Sequence, residues 1–66
     1  MKLEEIKKNM HHNVRYDGGV YYFDSCVLWL DEVEREFKYS LWLVDKQANC
    51  AYQVPIEKVE VINDEL

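Results

Sequence analysis

The chain has 66 residues, 48% of them apolar and 14% aromatic, and a formal net charge of −5. The apolar content excludes intrinsic disorder, the acidic balance argues against direct nucleic-acid binding, and the length allows one domain with a small core. No apolar run reaches the ~18 residues of a membrane-spanning helix and no signal-peptide pattern opens the chain, so a cytoplasmic protein with no membrane partner is expected.

In chain order, Leu3, Ile6 and Met10 recur at helical spacing. Glu4 and Glu5 precede Lys7 and Lys8, the order a helix dipole favours. This piece is too short to be stable alone. One or two turns that plug an open end of a core are expected over residues 1–9. Met10–Tyr16 alternates and reads as a first strand, with a start as late as His12 or Asn13. Asp17-Gly18-Gly19 is a tight-turn signal, because glycine reaches positive φ without steric cost.

Val20–Leu30, VYYFDSCVLWL, holds β-branched, aromatic and aliphatic residues with no Gly or Pro. Such side chains fit a pleated surface, so this is the central strand. Both of its faces are largely apolar, which fits a strand that curves and turns a different face inward along its length. Asp24-Ser25 is the expected point of bend or bulge. By simple alternation Tyr21 and Trp29 share one face, and Cys26, Leu28 and Leu30 share the other.

Asp31–Glu36, DEVERE, carries four carboxylates and one Arg and reads as a solvated hairpin tip. Phe37–Asp45 alternates, with Phe37, Tyr39, Leu41 and Leu43 on one face and Lys38, Ser40, Trp42 and Val44 on the other. Asp45–Asn49 is a polar turn and Cys50–Val54 a short strand. Pro55 forbids a continued central ladder. A single 3₁₀ turn is expected at Ile56–Lys58, a last strand at Val59–Ile62, and a polar tail at 63–66. Five short strands in one 66-residue domain, with the barrel over 10–62, point to a small all-β barrel. Leu28, Leu30, Tyr39, Leu41, Leu43 and Val59 are its expected core.

The ending Tyr52–Ile62, with its strand, Pro55, a 3₁₀ turn and a closing Val-rich strand, resembles the end of Src-homology-3-like (SH3-like) barrels. The opening, from Leu3 through Val14–Tyr22, is similar to small barrel proteins of phages, prophages and Gram-positive bacteria. The resemblance implies an all-β, five-stranded SH3-like barrel with a short N-terminal helical turn, in the host cytoplasm if phage-encoded. The acidic-aromatic motif and the tandem Trp of the eukaryotic signalling members are missing, so recognition of Pro-rich peptides is not carried over.

Little in the chain points to chemistry. His11 and His12 are neighbours on the expected strand and face opposite ways, so they do not share a metal simply. No zinc-ligand spacing exists. Cys26 and Cys50 could pair if their strands are adjacent, but free thiols are the expected state of a cytoplasmic chain. Cys26 lies mid-strand among apolar residues, where packing is the expected role. The Asp31–Glu36 acids read as a solvated face rather than a tuned acid–base pair. No enzyme activity, cofactor or metal is expected.

A non-enzymatic interaction module, binding a protein partner or itself, is therefore the leading expectation. Trp29, Trp42 and Tyr21 are its candidate aromatic anchors, with Asp31, Glu32, Glu34 and Glu36 as an acidic rim. A sharper alternative is a phage or mobile-element inhibitor that occupies the basic nucleic-acid-binding surface of a host protein. A third is a small-ligand-binding barrel, against which stands the filling of small barrels by their own side chains.

Overall fold

The computed structural model describes residues 1–62, and the expected polar tail lies outside them. Five antiparallel strands form one sheet: β1 Asn13–Tyr16, β2 Gly19–Asp31, β3 Glu36–Asp45, β4 Cys50–Pro55 and β5 Val59–Val61. Their order is β4-β3-β2-β1-β5, so the last strand returns to the first and the fold is small, all-β and barrel-like. A 3₁₀ turn, Leu3–Glu5, runs into a short helix, Ile6–Asn9. The expected 3₁₀ turn occupies Ile56–Lys58 after Pro55.

Local chemistry accounts for each junction. Asp17 and Gly18 join β1 to β2 with φ of 50° and 79°, the two positive angles that a two-residue hairpin turn needs. The β2–β3 and β3–β4 turns share one device. Asp31 Oδ1 accepts from the amides of Val33 and Glu34, and Asp45 Oδ1 accepts from those of Gln47 and Ala48. Each turn then closes on a residue with positive φ, Arg35 at 56° and Asn49 at 55°.

Val14, Phe23, Leu41, Leu43, Val54 and Val59 form the buried core. Met1, Ile6 and Met10 pack against it, so the N-terminal turns cover it as expected. The terminal ammonium of Met1 donates to the carbonyls of Ile56 and Val59, fixing the start of the chain to the end of the barrel.

The strand β2 bends where expected, but the bend changes the face assignment. Phe23 pairs with Leu43 and Ser25 with Trp42, leaving Asp24 as the extra residue of a bulge. Past that bulge the parity reverses. Tyr21 and Phe23 face inward, and so do Cys26, Leu28 and Leu30 beyond it, opposite Leu41, Tyr39 and Phe37. Tyr21 and Trp29 therefore lie on opposite faces, contrary to simple alternation.

The expected core is corrected in the same region. Leu41, Leu43 and Val59 are buried, and Tyr39 is half-buried. Leu28 and Leu30 are 54% and 50% exposed. The reason is strand length. The strand β2 has 13 residues, but β1 covers it only over Gly19–Tyr22, and β4 covers β3 only from Ser40. Leu28 and Leu30 point the way the core residues do, yet they do so beyond the end of the core.

Candidate functional site

The uncovered ends of β2 and β3 form a two-stranded ribbon, Leu28–Asp31 against Glu36–Tyr39. The molecule, ribbon included, measures 41 × 26 × 18 Å along its principal axes. A bare two-stranded ribbon is marginal in water, so the cross-strand contacts on its outer face matter. There the Trp29 indole Nε1 donates to Ser40 Oγ at 2.7 Å. The ring thereby covers the hydroxyl, and Ser40 is nearly buried. Lys38 reaches Asp31 at 2.9 Å and also pairs with Glu34. Trp29, Lys38, Asp31 and Glu34 are thus partnered within the ribbon and hold it in shape.

These contacts set the charges at the tip. The Lys38 ammonium and the Glu34 and Val33 amides hold the Asp31 carboxyl below the usual carboxylate range. The Glu34 and Asp31 carboxylates in turn raise the pKa of Lys38. A depressed carboxyl pKa contributes stability above its unfolded value, roughly 3.9, and loses it as pH falls through the folded value. Lys38→Ala is expected to raise the Asp31 midpoint toward its ordinary value, read by NMR titration of the carboxyl carbon. An unchanged midpoint would mean that the turn amides alone set it.

The inner face of the ribbon is different. Leu28, Leu30 and Phe37 lie side by side on it, with Phe37 68% exposed and Tyr39 half-buried. Val33 at the tip is 92% exposed. A shallow concavity of about 480 Å³, lined by Leu30, Glu32 and Arg35, adjoins this row. Contiguous exposed apolar side chains rimmed by polar residues mark protein or membrane contacts, ligand grooves or aggregation-prone surfaces.

The residues expected from sequence are therefore divided. Trp29, 39% exposed, sits on the outer face with half-buried Trp42, separated from it by the Val27–Ser40 pair. Asp31, Glu32, Glu34 and Glu36 are gathered at the tip. Tyr21 lies at the far end of β2, in edge contact with Tyr16 and Tyr52. Leu28 and Leu30 were missed, because an apolar residue on the core face of a strand reads as core, and Phe37 was placed on that face without a role. The signal that could have found them was the length of β2 beside its short neighbours.

His11 and His12 sit in the turn before β1 rather than on a strand, and His11 stacks on Tyr22. Among the described residues, no three His, Cys, Asp or Glu side chains cluster as metal ligands. Cys26 and Cys50 are unlinked and half-buried. Burial pushes the Cys26 thiol up, away from the thiolate that a nucleophile needs. Among the described residues no helix is long and apolar enough to cross a membrane. Comparison of the chain with protein-family models, with curated proteins and with solved structures found no match.

Proposed function

We propose that this protein is a non-enzymatic interaction module, a small acidic SH3-like barrel whose contact element is the β2–β3 ribbon. The observation that carries this reading is the exposed row Leu28, Leu30 and Phe37 on a rigidified ribbon that outruns the barrel. Apolar side chains held in place before binding lose little entropy on binding. Leu30 and Phe37 are the anchors, and Trp29, on the opposite face, braces the ribbon through Ser40. Glu32 and Glu36 form the acidic rim, since Lys38 already engages Asp31 and Glu34. That internal pairing supports apolar docking over mimicry of nucleic-acid charge. The partner is a protein, or a second copy of this chain, met in the cytoplasm.

The test is site-specific photo-crosslinking in cells that produce the protein. A benzophenone side chain is placed at Phe37 or, separately, at Val20, which is 54% exposed but lies off the ribbon. Adducts are expected from position 37 and not from position 20. Equal labelling from both, or labelling from position 20 alone, would contradict the reading.

A further inference from the structure

The sheet leaves one long edge open. The strand β1 pairs with β2 only as far as Tyr22. Next to it, Phe23 exchanges both backbone bonds with the turn before β1. Its carbonyl accepts from the His11 amide at 2.8 Å, and its amide donates to the His12 carbonyl at 3.0 Å. From Asp24 to Asp31 that side of β2 meets no backbone partner among the described residues, while β3 pairs the other side. On one strand, the face a side chain takes fixes the side to which its N–H and C=O point. Cys26, Leu28 and Leu30 share the face of Phe23, so their amides and carbonyls point to the open side.

Protected edges carry charge or proline, or are short. The strand β5 has three residues, β4 ends in Pro55, and the open part of β3 carries Glu36 and Lys38. The open edge of β2 has no such protection over Ser25–Leu30, SCVLWL. Its pattern is also self-complementary about Leu28. In an antiparallel pairing of two copies centred there, Leu28 meets Leu28, Cys26 meets Leu30 and Val27 meets Trp29. Ser25 then meets Asp31, whose charge Lys38 offsets. A centre at Val27 would instead set Leu30 against Asp24 and drive Asp31 into the covered Phe23. Asp24 and Glu32 face each other only at the two ends, where water and salt screen them.

We propose that two copies of this chain join edge to edge through β2, antiparallel about Leu28, into one continuous sheet. This rests on the reading of the ribbon as the contact element and names its occupant. The outward groups of Cys26, Leu28 and Leu30 on the two strands make about six backbone hydrogen bonds. Leu30 of one copy comes beside Cys26 of the other, which faces Leu41 of the core. Leu28 and Leu30, half in solvent in the single chain, are thereby covered.

Sedimentation equilibrium is expected to show a monomer–dimer equilibrium. Leu28→Lys, at a half-exposed position, is expected to weaken it at least about tenfold with the fold retained by circular dichroism. Register is read by disulfide trapping in a glutathione redox buffer. In a Cys26→Ser, Cys50→Ser background, Leu28→Cys is expected to form a covalent dimer, since facing residues of a hydrogen-bonded pair have Cα atoms about 5.5 Å apart. Leu30→Cys in that background is expected to stay single, because the two copies of position 30 lie about 14 Å apart along the strands. Restoring Cys26 beside Leu30→Cys is expected to bring the covalent dimer back. A chain still monomeric at about 1 mM, where even a millimolar contact would show, would overturn the proposal. So would trapping of Leu30→Cys alone as readily as Leu28→Cys. The ribbon reading is decided separately, by adducts at position 37, which a monomeric chain still forms with another protein.

Discussion

Replacing Leu41 with alanine is expected to destabilise the protein by about 2–5 kcal/mol. Leu41 is fully buried and faces Cys26 on β2 and Val54 on β4, at the centre of the sheet. Truncation there loses the transfer free energy of the side chain and leaves a cavity that a short, strand-bound core cannot collapse around. Among the described residues the core holds six buried apolar side chains, and small domains have little stability to spare, so much of the population should unfold. Leu28→Ala is the internal control. Leu28 has the same inward direction, thirteen residues earlier on the paired strand, but is half in solvent. Its truncation should cost less than about 1 kcal/mol. Denaturant titration of both variants measures the difference directly. Similar losses at the two positions would mean that the ribbon is packed as core.

Much of this architecture was legible in the sequence, because it is written in local terms. The Asp17-Gly18 turn, the alternation of Phe37–Asp45, and Pro55 followed by a 3₁₀ turn each follow from backbone chemistry at the residues themselves. The bulge was legible too, since Asp24-Ser25 interrupts an apolar run. Its consequence was not. One extra residue reverses parity, so alternation carried through it put Tyr21 on the same face as Trp29 when the two lie on opposite faces.

The exposure of Leu28 and Leu30 was hidden for a different reason. Burial is a property of what lies over a residue, and a strand does not encode how far its neighbours extend. Only the comparison of a 13-residue β2 with a four-residue β1 shows that the hairpin must outrun the sheet. The shared turn device was hidden in plain composition. Asp31 and Asp45 each stand four residues before a left-handed position, but neither Arg35 nor Asn49 is a glycine that would have marked it.

The largest functional effect is expected at the inner face of the ribbon. Leu30→Ser with Phe37→Ser should weaken binding by about 2 kcal/mol or more, the loss typical of an anchor truncated at the centre of a contact. Both residues are half or more exposed in the free protein, so the fold should survive the change. Glu32→Gln with Glu36→Gln should act differently. Rim charges steer the encounter, so this pair should slow association and flatten its salt dependence while leaving dissociation almost unchanged.

The most direct test is binding of the photo-crosslinked partner, purified, to three forms of the protein: wild type, Leu30→Ser/Phe37→Ser, and Trp42→Ala. The ribbon account predicts that the first variant loses about 30-fold or more in affinity, the equivalent of 2 kcal/mol, through faster dissociation, while Trp42→Ala stays within about threefold of wild type. The reverse pattern, with Trp42→Ala abolishing binding and the Leu30/Phe37 variant unaffected, would place the contact on the outer face and contradict the account.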